Sequence, residues 1–356
     1  MESSLGPLLP LFQRERTAGR PMVLAVLAET LGSTYRKPGA LLLIDSRGEY
    51  AGLLSGGCLE GDLAERAREV IRSGRAQRVT YDLRNPDDLV WGLGLGCEGA
   101  MCILLLRVGP EEQWQPLDQL AAALEAQQPV TLGLVLDSHD PRWPVGAMVL
   151  PGSAGELALR PSPGPGGASL PATASEALAR AGRLREPLTV ETGNPPLRLF
   201  ALPFAPPPRV LLLGGGPDAA PLVAWASRLH WRVSVVDHRP AYAQAAHFPE
   251  AHSVVLCRPE ALPGTLALEG FRAAVVMSHH LPTDLQYLRV LAASPIGYVG
   301  LLGPRARRDA LLASLGEAAA SLQGRLRAPV GLDLGGRGPE AIALAIVAEL
   351  HQYLSS

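Results

Sequence analysis

The sequence predicts an α/β protein with an amino-terminal mixed α/β half and a carboxy-terminal doubly wound parallel sheet of the Rossmann type. Three observations carry this. From Arg209 onward, short apolar runs alternate with helical patterns, the texture of βαβ units. The first strand-to-helix turn, Gly214-Gly215-Gly216-Pro217-Asp218-Ala219, fits G-x-G-x-x-A, and the next strand ends on Asp237. Just before, Pro206-Pro207-Pro208 is a stiff spacer and marks a boundary. Domains are therefore expected at 1–109 and 206–356, with 110–205 completing the amino-terminal half.

Composition narrows the function classes. With 356 residues, 47% hydrophobic content and mean hydropathy +0.14, the chain can bury sizeable cores and is not disordered. A net charge of -2 offers no electrostatic case for nucleic acid or an anionic membrane. No run approaches the roughly 20 apolar residues of a membrane span. The apolar run 22–28 is too short and too far in for a signal peptide. Cys58, Cys97, Cys102 and Cys257 form no C-x-x-C pair and no zinc spacing with histidine. Four cysteines in a chain this long make no disulfide framework, so a reducing cytoplasm is expected. Lys37 is the only lysine; either a compact ammonium is wanted there or it is a solvated loop residue.

Taken in order, residues 5–18 read as a helix and 22–28 as a buried strand. The loop 32–39 follows, dense in hydroxyls, cations and turn residues: Ser33, Thr34, Arg36 and Lys37 among glycines and Pro38. Residues 40–44 and 50–54 form a hairpin. Its antiparallel pairing brings the 32–39 loop beside the segment that follows the second strand, so the two should face one site. That segment is Ser55-Gly56-Gly57-Cys58-Leu59-Glu60-Gly61-Asp62, ahead of a helix to about residue 72. Its glycines let a ligand approach and leave amide N–H groups outward. Cys58 then stands near a helix start whose positive end favours a thiolate. The equal alternative is a glycine turn with a small buried cysteine.

After a strand at 78–83, Trp91 to Gly99 makes a second glycine-rich turn holding Cys97, with the same two readings. Residues 101–108 read as a buried strand with Cys102 in the core. The middle region offers a helix at 117–127 and strands at 130–136, 148–150, 157–159 and 197–204. It carries no chemical constellation; His139 between Asp137 and Asp140 reads as a solvated turn.

In the carboxy-terminal half, Gly214 and Gly216 would let a pyrophosphate approach the helix start, and Asp237 would accept from ribose hydroxyls. Pro217 removes one amide from that turn, and His238 and Arg239 leave a 2′-phosphate preference open. Strands follow at 253–256, 273–277 and 298–302. Ser278-His279-His280 falls at the carboxyl end of a parallel strand, where open sheets place their ligand crevice. His279 and His280 serve acid/base or metal chemistry there, or one of them caps the next helix. Arg305, Arg307 and Arg308 crowd a later helix start, and a helix over 339–353 closes the domain.

Together these stretches resemble the XdhC/CoxI family, the xanthine dehydrogenase accessory factors. The likeness rests on Gly32-Ser33 through Lys37-Pro38-Gly39, Ser55 to Gly61, Gly94-Leu95-Gly96-Cys97, Gly214 to Gly216 and Val236-Asp237-His238-Arg239. It extends through Ser278-His279-His280, Gly300-Leu301-Leu302-Gly303 and Ala328 to Gly335. Glu98 and Pro304 depart from the family pattern. The resemblance implies a chaperone that binds molybdenum cofactor, assists its sulfuration and delivers it to a molybdenum hydroxylase. It also implies a cysteine desulfurase as sulfur source and a homodimer. Cys58 and Cys97 would handle molybdenum or sulfane sulfur. Ser33, Thr34, Lys37, Ser55, Gly56, Gly57 and Glu60 would hold a phosphate or pterin. The Rossmann crevice suits the cofactor's cytosine dinucleotide form. Two alternatives stand beside this: an NAD(P)-dependent oxidoreductase using His279 or His280, and a scaffold that recruits a sulfurtransferase and binds nothing.

Overall fold

The computed structural model describes residues 4–82, 84, 99–151, 157–160, 170–192 and 194–355. They divide into two compact units, Met1–Pro206 and Pro207–Ser356.

The first unit opens with α1 (Leu9–Thr17), fastened by the buried Glu15. Its carboxylate takes hydrogen bonds from Arg20 (2.7 and 3.0 Å) and Arg14 (2.8 Å). Arg20 foremost pulls its pKa down to about 2. Next come β1 (Met22–Gly32), β2 (Leu41–Asp45), β3 (Tyr50–Gly52), α2 (Glu60–Ser73), β4 (Gln77–Asp82) and β5 (Gly99–Val108). The strands form an antiparallel sheet in the order β3-β2-β1-β5-β4. β1 runs past the expected end at residue 28, because β5 continues to pair with it as far as Gly32↔Gly99.

A second stretch supplies α3 (Leu117–Glu125), β6 (Val130–Ser138), β7 (Met148–Pro151), β8 (Leu157–Arg160), α4 (Ala172–Leu184), β9 (Leu188–Thr192) and β10 (Leu197–Phe204). Its antiparallel order is β8-β7-β6-β10-β9. α4 and β9 have no counterpart in the sequence reading. The buried stripe of α4 is mostly alanine, and β9 is a half-exposed edge strand, so neither carries a strong apolar signal.

Strand alternation builds the layers. Leu24 and Val26 of β1 and Leu104 and Leu106 of β5 meet Leu132, Leu134, Phe200 and Leu202 of the second sheet. Val23, Ala25 and Leu27 turn the other way onto Leu63, Ala67 and Val70 of α2. The far face of the second sheet carries α4 through Ala174, Leu178 and Ala181. The first unit is thus an α-β-β-α sandwich.

The second unit runs β11 (Arg209–Leu213), α5 (Ala219–Arg228), β12 (Arg232–Asp237), β13 (Ser253–Leu256), α6 (Leu262–Thr265) and β14 (Ala273–Val276). Then come α7 (Leu281–Ala292), β15 (Tyr298–Leu301), α8 (Arg305–Leu315), β16 (Leu326–Arg327) and α9 (Pro339–Ser355). All six strands are parallel, in the order β13-β12-β11-β14-β15-β16. Leu211 and Leu213 face α7 and α8, while Val210 and Leu212 face α5 and α9. This is the doubly wound sheet read from the sequence. Its strand order reverses between β11 and β14, the place where such sheets form a crevice.

Candidate functional site

One end of the first sheet gathers the glycine-rich stretches. β1 ends there at Gly32, opposite Gly99 of β5. β4 ends at Asp82, opposite Ala100, and β3 ends at Gly52, opposite Leu42 near the start of β2. The 32–39 loop and the Ser55–Asp62 segment therefore leave from neighbouring strand ends. A Cβ on Gly99 would lie 2.5 Å from the Ser33 carbonyl oxygen and 2.8 Å from that of Leu31, so only glycine lets β5 begin against this loop. The second cysteine turn, with Gly94, Gly96 and Cys97, lies outside the described residues.

The Ser55 loop is built differently from the outward amide nest expected of it. The N–H groups of Gly57, Cys58 and Leu59 donate to Ser55 Oγ at 3.2, 3.1 and 3.1 Å. The Ser55 hydroxyl in turn donates to Glu60 Oε2 at 2.5 Å, and Ser55 N–H donates to Glu60 Oε1 at 2.9 Å. Ser55 and Glu60 are both 2% exposed. The amides turn inward because a loaded serine oxygen satisfies three of them at once. Burial pushes the Glu60 carboxyl up, but the Ser55 hydroxyl and the backbone donors outweigh it and hold the group below its usual range.

What the loop presents outward is its glycine surface and its thiol. A Cβ on Gly56, Gly57 or Gly61 would meet nothing within 4 Å. Cys58 is a free, half-buried thiol two residues ahead of α2. The acidic first turn of α2 is partly neutralised, since Asp62 accepts from Tyr81 at 2.5 Å and Arg66 at 2.7 Å. In the neighbouring loop, Ser33 and Lys37 are exposed, whereas Thr34 is buried and donates to the Arg36 carbonyl at 2.8 Å. Among the described residues Lys37 has no ion-pair partner.

At the same end, a cavity of about 640 Å³ opens between the two sheets, lined by Glu29, Leu31, Pro38, Arg78, Cys102 and Arg198 among others. Sequence reasoning missed it, because its walls come from strands distant in the chain. Cys102 lines this cavity. Burial, and then the nearby Glu29, push its thiol pKa up, so it stays protonated at neutral pH.

In the second unit the glycine turn approaches the chain's own backbone. A Cβ on Gly215 would lie 2.4 Å from the Tyr242 carbonyl oxygen, and one on Gly214 2.5 Å from the Met277 carbonyl. Asp237 is fully buried and already engaged. It accepts Gly215 N–H at 2.9 Å and the Arg239 guanidinium at 2.8 and 2.9 Å. Arg239 also stacks on Tyr242, 3.9 Å from the ring centre. A ribose would have to displace that guanidinium.

His280 precedes α7 at its N-cap position without capping a helix amide, and its Nδ1 lies 2.8 Å from Thr283 Oγ1. His279, at φ +59, pairs with Asp218 at 3.0 Å and comes within 3.8 Å of the Cβ position of Gly216. Below them, the buried Asp284 accepts from Ser278 Oγ and from Arg307 at 2.6 Å. Arg308 donates to the Ala328 carbonyl at 3.1 Å. Among the described residues, no cluster of three or more His, Cys, Asp or Glu side chains is placed to hold a metal, and no helix is long and apolar enough to cross a membrane.

Comparison with known proteins agrees with the fold. Residues 210–350 match a family model described as the XdhC Rossmann domain, and residues 16–82 match the XdhC and CoxI family. The chain is 31% identical over 340 residues to a Bacillus subtilis (strain 168) protein named as a probable xanthine dehydrogenase subunit, covering 93% of this chain and 92% of that protein. It is 25% identical over 336 residues to the molybdenum cofactor insertion chaperone PaoD of Escherichia coli (strain K12), covering 94% and 83%. A crystal structure of a xanthine dehydrogenase from Bacillus halodurans superposes with a TM-score of 0.77 at 29% identity, covering 98% of this chain and 95% of that one.

Proposed function

Because the chain belongs to the XdhC and CoxI family, we propose that it binds molybdenum cofactor, assists its sulfuration and inserts it into a xanthine dehydrogenase-type molybdenum hydroxylase. The names of its relatives support a maturation role. The observation that carries the reading is the Ser55–Glu60 lock. It fixes three amides inward and leaves Cys58 half-exposed between open glycines, next to strand ends that carry the 32–39 loop.

In this reading Cys58 is the soft ligand or sulfur carrier, and the exposed Lys37 and Ser33 meet anionic oxygens of the cargo. The sulfur comes from a cysteine desulfurase. Nicotinamide chemistry is left out of the reading, because the acid it needs is held by Arg239. Calorimetric titration with NADH up to about 100 μM is therefore expected to show no saturable heat of binding. Saturable binding at micromolar NADH would restore the oxidoreductase.

The direct test compares wild type with Cys58→Ala after co-expression with the cofactor pathway. Pterin and molybdenum are measured in the purified protein, and the activity it confers on cofactor-free hydroxylase is followed. Cys58→Ala is expected to lower conferred activity by about tenfold or more, the scale of one lost first contact to a metal-bound group. Equal activity in both proteins would remove the thiol from the mechanism.

A further inference from the structure

We propose that residues 239–242 form an autoinhibitory strap over the glycine turn of the second unit, and that this strap holds shut a crevice for the ribose of an adenine dinucleotide. The inference goes beyond the cofactor-handling reading above, which concerns the first unit, and does not rest on it.

The turn stands where a parallel sheet of this kind receives a dinucleotide, between β11 and α5 with the acid at the end of β12. The chain itself covers it. Gly214 N–H donates to the Val236 carbonyl at 2.8 Å, and Gly215 N–H to Asp237 at 2.9 Å. The Tyr242 carbonyl crosses Gly215 so closely that a Cβ there would lie 2.4 Å from its oxygen. One residue, Arg239, fastens this segment. Its N–H and Nε each donate to Asp237 Oδ1 at 2.9 Å, and Nη2 donates to Oδ2 at 2.8 Å. The guanidinium lies 3.9 Å from the centre of the Tyr242 ring. The Arg239 carbonyl accepts the N–H groups of Tyr242 and Ala243 at 3.0 and 3.1 Å. Arg239 thus clamps both the acid and the bend that covers the glycines.

The clamp imitates the ligand it excludes. A ribose diol offers hydroxyl donors to the acid at the end of the second strand, and Arg239 offers a fork of N–H donors to the same two oxygens. The parts differ in burial. Asp237 is fully buried, whereas the Arg239 side chain is 34% exposed, Tyr242 is 36% exposed, and Pro240 and Ala241 between them face outward. The strap is therefore the part that can lift. When the guanidinium leaves, Asp237 keeps Gly215 N–H and takes ribose hydroxyls in exchange, so its charge is not stranded. On the other side of the turn, His279 is exposed and meets Asp218 at 3.0 Å, a surface pairing that parts at little cost. A closed clamp lowers apparent affinity by the fraction of molecules in which it is open, so releasing it raises affinity without adding a contact.

The test titrates the full chain with NADH and with NADPH by calorimetry, for wild type and two variants. Arg239→Met keeps an apolar stem over Tyr242 and loses the charge. Arg239→Lys keeps a cation beside Asp237 and loses both the fork and the flat stack. Wild type is expected to show no saturable heat with NADH up to about 100 μM, and Arg239→Met to bind it at least about tenfold more tightly than wild type, with Arg239→Lys in between. Melting curves show which variants are folded. Arg239→Lys retains the charge opposite Asp237, so it decides the matter if Arg239→Met does not fold. Absence of NADH binding in every folded variant would overturn the strap, and so would wild type binding NADH as tightly as Arg239→Met. Wild type binding NADPH but not NADH would also overturn it, because Arg239 would then be a reader of the extra phosphate. Molybdenum retained after co-expression is measured separately, so loss of the chaperone reading leaves this result standing.

Discussion

Replacing Asp284 by alanine is expected to destabilise the carboxy-terminal unit by about 3–5 kcal/mol, the loss typical when one partner of a buried ion pair is removed. Asp284 is fully buried and serves three donors. It accepts from the Ser278 hydroxyl, from Ser278 N–H at 3.3 Å and from the Arg307 guanidinium at 2.6 and 3.2 Å. Alanine removes all of these at once and strands Arg307, whose side chain is only 21% exposed. Three elements lose their tie: the turn after β14, the start of α7, and α8. For a unit of this size, the change corresponds to a fall in melting temperature of very roughly 10 °C. Urea unfolding of the full chain measures it, and a shift below about 1 kcal/mol would show that the pair contributes little. The neighbouring His279→Ala removes only an exposed pairing with Asp218 and is expected to cost less than about 1 kcal/mol. The Ser278-His279-His280 motif thus splits into a structural serine, an exposed histidine and a histidine held on the Thr283 side chain at the start of α7.

The second large effect is expected from Glu60→Ala. It leaves Ser55 N–H and the Ser55 hydroxyl without their acceptor, and Ser55 Oγ then no longer holds the amides of Gly57, Cys58 and Leu59 in place. Unsatisfied buried groups of this kind cost about 1–3 kcal/mol each, so a loss of about 2–4 kcal/mol is expected after local relaxation. Retained cofactor should fall with it, because the loop that presents Cys58 is no longer set. Glu60→Gln separates charge from hydrogen bonding through its pH dependence. The folded Glu60 carboxyl is held below its ordinary value of 4.5, so the unfolded chain binds its proton more readily. Its stabilising contribution is therefore complete above about pH 4.5 and is lost as pH falls through the lower, folded value. Wild type should lose part of its stability advantage over Glu60→Gln below pH 4.5 and keep it all at pH 6–8. Parallel stability curves for the two proteins across pH 3–7 would remove the charge from this account.

How far the sequence reads ahead of the structure depends on how local each signal is. The Rossmann sheet was legible because strand, glycine turn, helix and Asp237 sit within about thirty consecutive residues, the length of one βαβ unit. The amino-terminal hairpin and α2 were legible for the same reason: Leu63, Ala67 and Val70 repeat at helical spacing within one element. α4 was not legible, since alanine marks a buried stripe only once something packs on it.

The chain by itself determined most of the strands and helices, the glycine turn that opens the parallel sheet, and that Cys58 stands just ahead of a helix. Only the tertiary structure decided the direction each group faces. It turned the Ser55 loop amides onto a buried Glu60, spent the Gly215 approach on Tyr242, and closed Asp237 with Arg239. It also brought Glu29, Arg78, Cys102 and Arg198 around one cavity. Local periodicity encodes an element and its buried face. The partner of a polar group comes from strands that pair across tens of residues, and no spacing in the sequence records that meeting.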